Sequence, residues 1–233
     1  MEHFMKTPSL TYAGCAALFF FQTAPSQAAL VGVLPATAGG TDYQAYYDTE
    51  SDLTWLADAN AAFGSEFDVN FDQPTGRLTW DQANAWLTSL NINGVTGWRF
   101  PTTPNPDPTC EYLEGPAFYN CSGSEMGNLY YNVLGGVAGG GEPFNANAEL
   151  FSNIKTALGY WSTKTNSNYA WAFGFSSGWV TEACIDCAEG LRQNFVWAVH
   201  DGNAGAVPLP AAVYLFGSGF LGLSGIARRN KAA

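Results

Sequence analysis

Histidine and basic charge are the scarce features of this 233-residue chain. It holds two histidines, and with His3 near the start, His200 stands alone in the body of the sequence. No Ser-His-Asp arrangement and no defensible pair of carboxylates accompanies it, so no catalytic residue is assigned. A histidine-built metal centre is excluded on the same count. Lysine and arginine number nine against 20 acidic residues. Lys6, Arg228, Arg229 and Lys231 sit in the terminal segments, which leaves Arg77, Arg99, Lys155, Lys164 and Arg192 to face all the acids but Glu2. Such a surface repels phosphate backbones, so nucleic acid is not an expected partner. The chain also lacks any repeat of fixed period, which excludes solenoids and propellers.

What is present is aromatic and loop-forming. Hydrophobic residues make up 47% and aromatics 15%, with 26 glycines and 12 prolines, the composition of a folded chain with long loops. Lys6, the apolar stretch Ala13 to Phe21 and the small residues Ser26, Ala28 and Ala29 follow the order of a secretory signal peptide over residues 1–29. Removing it takes Cys15 away and leaves Cys110, Cys121, Cys184 and Cys187, an even set that predicts two disulfides in an exported protein. Three pairings are open. The local one, Cys110 with Cys121 and Cys184 with Cys187, would close a Pro-rich loop and a short turn. A redox or zinc role for the Cys-x-x-Cys lacks a second cysteine pair or a histidine cluster. At the far end, Val207-Pro208-Leu209-Pro210-Ala211 opens an apolar run that ends at Arg228, Arg229 and Lys231. Leu209 to Ala227 spans 19 residues, close to the roughly 20 that cross a bilayer as a helix. The basic end is expected to stay cytoplasmic.

Between the ends, residues 30–42 are expected as a linker, 43–202 as one domain and 203–206 as a second linker. Tyr43 to Tyr47 and Leu53 to Leu56 flank the turn-forming Asp48-Thr49-Glu50-Ser51-Asp52, which predicts a hairpin. The alternating acids of that turn lack the glycine and the final glutamate of a calcium loop, so a solvated turn is expected. Within Gly76 to Gly94, Thr79 with Gln82 forms a capping signature ahead of Trp80, Ala83, Trp86, Leu87 and Leu90, predicting a helix with that stripe in the core. Gly97-Trp98-Arg99-Phe100-Pro101-Thr102 predicts a fixed turn in which Arg99 forms a structural ion pair. Thr103 to Glu125 is expected as a stapled loop and Gly135 to Gly141 as a flexible linker. Tyr160 to Thr163, Tyr169 to Phe175 and Phe195 to Val199 predict antiparallel strands.

Leu53-Thr54-Trp55-Leu56, Thr79-Trp80-Asp81-Gln82-Ala83, Gly97 to Thr102, Leu150 to Ile154, Tyr160-Trp161-Ser162, Ala170-Trp171-Ala172-Phe173 and Phe195 to Val199 together resemble the bacterial Lcl C-terminal-type domain of unknown function. The resemblance covers about residues 43–202. It implies an α+β, C-type-lectin-like fold, related to that of formylglycine-generating enzymes, with short antiparallel strands, few helices and long loops. Its fold-motif residues would be Trp55, Trp80, Trp98, Arg99, Pro101, Tyr160, Trp161, Ser162, Trp171 and Trp197. Those of Trp55, Trp98, Trp161, Trp171, Trp179 and Trp197 that reach the surface are candidate platforms for sugar rings, most being core.

The tail, Val207 to Ala211 with its hydrophobic stretch and basic end, is similar to the PEP-CTERM sorting signals of the VPLPA type. That resemblance implies processing by an exosortase in a Gram-negative bacterium, a transient inner-membrane anchor, and release to the cell surface or matrix. The expected function is therefore that of a non-enzymatic surface or matrix protein, with exopolysaccharide as candidate ligand and no resident cofactor. Two alternatives stay open: an oxidase of the formylglycine-generating type, and a structural domain stabilised by calcium on unassigned ligands.

Overall fold

The computed structural model describes residues 29–69, 72–112, 117–141, 144–186 and 192–206. The expected signal peptide up to residue 28, Cys187, and the tail from Val207 to Lys231 with its membrane helix over 209–227 lie outside the described residues. Among the described residues no helix is long and apolar enough to cross a membrane. The architecture is α+β, with two mostly antiparallel sheets and few helices.

The first sheet holds β1 (Leu30–Pro35), β2 (Tyr43–Asp48), β3 (Leu53–Leu56) and β9 (Val199–Asp201), in the order β1-β2-β3-β9. The predicted hairpin is β2 and β3, with Ala45 opposite Leu56 and Asp48 opposite Leu53. Its turn is solvated as expected, with Thr49, Glu50 and Asp52 exposed, but Asp48, the last residue of β2, is 1% exposed, and its carboxylate accepts from the Glu50 amide and the Ser51 hydroxyl. The stretch 30–42 is likewise more than a linker, because β1 pairs with β2 along Leu30 to Pro35. Tyr43 lies across β1 so closely that a Cβ on Gly32 would come within 2.1 Å of its ring, so only glycine fits there.

Helix α1 (Trp80–Ser89) carries the predicted capping box. The Thr79 hydroxyl accepts from the Gln82 amide, and the Gln82 side chain accepts from the Thr79 amide at 2.9 Å. Ala83, Trp86 and Leu87 face the core, while Trp80 stays half-buried, stacked on Phe100 at 4.7 Å. A short α-turn, α2 (Glu125–Gly127), is capped by the Ser124 hydroxyl and continues as a π-helical stretch over Asn128–Val133 that buries Leu129 and Tyr130.

The second sheet runs β4-β5-β8-β7-β6, built from β4 (Glu111–Tyr112), β5 (Phe118–Tyr119), β6 (Tyr160–Lys164), β7 (Tyr169–Gly174) and β8 (Trp179–Cys184). β6 and β7 match the expected strands; β8 was not foreseen. Phe195 to Ala198 differs in the other direction. Only Val199 from that run enters a regular strand, while Phe195 to Ala198 crosses between the sheets, giving its carbonyls to Trp161 and Leu56 amides. This run is buried throughout, so it carries no alternation to mark a strand face. The Gly135 to Gly141 stretch is also tied down: Gly136 donates to the Tyr130 carbonyl, Gly139 to the Ser177 carbonyl, and the Tyr130 hydroxyl reaches the Val137 and Gly140 carbonyls.

Trp197 joins the two halves of the core. Its ring lies 5.6 Å from Trp55 of the first sheet and 5.4 Å from Phe175, at the end of β7, with Tyr160 at 5.7 Å. Its indole N–H donates to the Leu56 carbonyl at 2.8 Å, so the buried polar edge is satisfied. Each such ring contributes about 1.5–3 kcal/mol of burial before chain entropy is counted.

Candidate functional site

Arg99 stands where β9 of the first sheet meets the capped turn of α2. Its guanidinium grips Glu125 with two hydrogen bonds of 2.8 and 2.9 Å, reaches Asp201 of β9 through both Nε and Nη2, and donates to the Phe100 carbonyl. Glu125 also accepts from the Thr102 amide at 2.8 Å. The Glu125 hydrogen bonds, opposed by partial burial and reinforced by Asp201, hold the Arg99 pKa above its ordinary value. The same contact to Arg99 lowers the pKa of Asp201. With all its donors engaged, this cation fixes the turn from Gly97 to Thr102, the structural role its sequence context suggested.

That turn launches the loop that forms a pocket. Pro101 gives its carbonyl to the buried Ser162 hydroxyl at 2.5 Å, and the Thr103 hydroxyl meets the same Ser162 oxygen at 2.8 Å. The Thr103 amide donates to Thr163 of β6. The chain then runs along Pro104, Asn105, Pro106 and Asp107, with the Asn105–Pro106 peptide cis, to Cys110. Cys110 is bonded to Cys121, 11 positions on, which selects the local pairing for this cysteine pair. Cys184 is also disulfide-bonded, and its expected partner Cys187 lies outside the described residues.

The opposite wall comes from the second sheet. Phe118 of β5 sits directly across from Val180 of β8, which pairs with Phe173 of β7; Trp171, two residues before Phe173, shares that face. Tyr131 holds this wall to the stapled loop, accepting from the Asn120 amide and donating to the Gly178 carbonyl, and burial pushes its phenol pKa up to about 12. Between loop and sheet lies a cavity of about 130 Å³ lined by the prolines, Asp107, Phe118, Trp171 and Val180. At about 30 Å³ per water it holds a few waters, room for one ring and well under the usual size of a cofactor cleft.

Two polar atoms on lining residues are buried without a partner: the Trp171 indole nitrogen, a donor, and Oδ2 of Asp107, an acceptor. The other Asp107 oxygen is occupied by the Thr109 amide and hydroxyl at 2.9 and 2.7 Å. Asp107 also lies near the sulfurs of Cys110 and Cys121 in a grouping of metal-ligand type. Both sulfurs are consumed by the disulfide, so the oxidised protein offers no thiolate pair there.

The fold-motif residues therefore divide. Trp55, Trp98, Tyr160, Trp161, Ser162 and Trp197 are buried structural elements, with the Trp161 indole on the Leu78 carbonyl and the Trp80 indole on the Ser162 carbonyl. Arg99 and Pro101 shape the loop. Trp171 alone of the ten lines the pocket, and Trp179, also half-buried, packs instead against Gly174. Asp107, Phe118 and Val180 were missed as site residues; the one signal in the sequence is the Pro104-Asn105-Pro106-Asp107-Pro108 run around Asp107, and nothing comparable marks Phe118 of β5 or Val180 of β8. Comparison with protein-family models, curated proteins and solved structures finds no match.

Proposed function

We propose that this chain is an exported, non-enzymatic protein of the cell surface or extracellular matrix, an exosortase substrate that holds a sugar ring of a neutral exopolysaccharide in the pocket beside Trp171. The observation that carries this reading is a ring-sized cavity with an aromatic and proline wall, two of whose lining residues, Trp171 and Asp107, each keep a buried polar atom without a partner, a donor on the first and an acceptor on the second. A pyranose presents a C–H face to the wall and hydroxyls to the polar atoms: Asp107 accepts a hydroxyl hydrogen, and the Trp171 N–H donates to a hydroxyl oxygen. A net charge of −11 favours a neutral glycan over a polyanion.

The α+β arrangement of two sheets, few helices and long loops agrees with the C-type-lectin-like, Lcl C-terminal-type reading of residues 43–202. Disulfide-bonded Cys110, Cys121 and Cys184 fit an oxidising compartment. They also weigh against the oxidase alternative, which needs free thiols. Delivery rests on the tail: Val207 to Ala211 addresses the chain to exosortase, residues 209–227 hold it briefly in the inner membrane of a Gram-negative cell, and Arg228, Arg229 and Lys231 face the cytoplasm.

Calorimetric titration of the full-length chain with neutral exopolysaccharide fragments tests the ligand. Saturable binding that weakens about tenfold or more in Trp171→Ala is expected. No binding of any fragment, or equal binding by the variant, overturns the pocket reading. Fractionation of cells with and without exosortase tests the delivery: a full-length, membrane-retained product in both contradicts it.

A further inference from the structure

We propose that the segment following β3 carries a second site, separate from the pocket: a binding site for a hard divalent cation of the calcium class, held by Oδ1 of Asp68, Oδ1 of Asn60 and Oγ of Ser65. Asp68 is only 7% exposed. Its Oδ2 accepts three backbone hydrogen bonds, from Gly64 at 3.1 Å, Thr75 at 2.9 Å and Gly76 at 2.7 Å, and so draws the two ends of this segment together. Its Oδ1 is buried and has no partner.

Asn60 is 3% exposed, and its amide oxygen is buried without a partner as well. Its backbone is fully used, the N–H on Asp58 and the carbonyl on the Phe63 amide. Ser65 repeats the pattern: its N–H donates to Ala62, its carbonyl accepts from Asp68, and its hydroxyl oxygen is buried without a partner. The first two side chains converge on one residue. The Gly76 amide holds the Asp68 carboxylate, and a Cβ on Gly76 would come within 2.0 Å of the Asn60 amide oxygen, at a φ of +76°. Glycine at this point lets both side chains close around the same spot.

An ionised carboxylate and a carboxamide oxygen only accept hydrogen bonds, so the two open oxygens of Asp68 and Asn60 cannot satisfy each other. Two buried acceptors and a hydroxyl oxygen, left open together, make the ligand set of a hard cation, which takes carboxylate, amide and hydroxyl or water oxygens. With a single carboxylate the site belongs at the weak end of calcium affinities, about 10⁻⁴–10⁻³ M, with water completing the shell.

Melting of the full-length chain in calcium chloride, magnesium chloride and chelator tests the site, with Asn60→Asp as the decisive variant. A second carboxylate beside a cation raises charge complementarity; beside nothing it adds repulsion. The expected result is a midpoint that rises with calcium over the millimolar range. In Asn60→Asp the calcium concentration at half-effect should fall about tenfold, with a lower midpoint in chelator. Ser65→Ala should raise the half-effect concentration, and Asp68→Asn should abolish the response. Equal parent midpoints in calcium and chelator overturn the proposal, as does a calcium response left unchanged by Asn60→Asp and Ser65→Ala. These two variants carry the test should Asp68→Asn fail to fold.

Discussion

Two loops of this protein each hold one half-satisfied aspartate, and what surrounds the open oxygen differs between them. Asp107 accepts from Thr109 at Oδ1 in a loop fixed covalently by Cys110–Cys121 and lines a cavity walled by Trp171, Phe118 and prolines, with its Oδ2 buried and unpartnered. Asp68 gives Oδ2 to three backbone amides that close its loop, and its Oδ1 is buried in a region where the oxygens of Asn60 and Ser65 are also unpartnered. On the proposed readings, the same chemical group is directed to different ligands by its neighbours. Apolar walls with a donor favour a neutral polyol, and a set of acceptors favours a cation. The two aspartates also divide the structural work differently, since one loop is held by a covalent bond and the other by the carboxylate itself.

The largest test of that division is Asp68→Ala. It strands the buried N–H of Gly76 and the part-buried N–H groups of Gly64 and Thr75, at about 1–3 kcal/mol for a fully buried one, so a loss of about 4 kcal/mol is expected after partial rehydration, read by urea denaturation. A loss below about 1 kcal/mol would mean the loop does not depend on its carboxylate. Next comes Cys110→Ser with Cys121→Ser, which frees a short loop and should cost about 3 kcal/mol together with glycan binding. Asp107→Ala should cost only about 1 kcal/mol of stability, because its Thr109 bonds lie in an exposed turn that the disulfide still holds. It should nonetheless abolish glycan binding. A stability loss as large as that of Asp68→Ala would erase the contrast between the loops.

The smallest effect concerns the Arg99 anchor from which the pocket loop departs. The Asp201 carboxyl titrates below its ordinary value because Arg99 donates to it, so its contribution is present above the unfolded carboxyl pKa and fades as pH falls through the lower folded one. Its side chain is 77% exposed, so the contribution is screened to less than about 1 kcal/mol. Asp201→Asn should therefore melt slightly below the parent at neutral pH, with the gap closing in acid. A gap that widens in acid would contradict the pairing.

Legibility in the sequence followed the range of the interaction. The capping box of Thr79 and Gln82, the β2–β3 hairpin and the β6–β7 pair are made by neighbours in the chain, and local chemistry marks them. The role of Arg99 was readable because cations are so scarce that one set among aromatics and proline calls for partners, but Glu125 and Asp201 lie 26 and 102 positions away. Phe195 to Ala198 misled because a run buried on all sides shows no period. β1 and β8 escaped for the opposite reason, since their short alternations sit beside turn-forming residues and only pairing makes them strands. The pocket was illegible for a further reason: Asp107, Phe118, Trp171 and Val180 are assembled from a loop and three strands, and what singles out Asp107 and Trp171 is a missing hydrogen-bond partner, which a sequence does not display.

The contrast comes down to one titration series on the full-length parent, Asp68→Asn and Asp107→Asn, each with calcium chloride and with a neutral exopolysaccharide fragment. The account expects a double separation: Asp68→Asn loses the calcium response and keeps the sugar, and Asp107→Asn loses the sugar and keeps the calcium response. Loss of both ligands in either variant, or of neither in both, would contradict the assignment of the two open carboxylate oxygens to two different ligands.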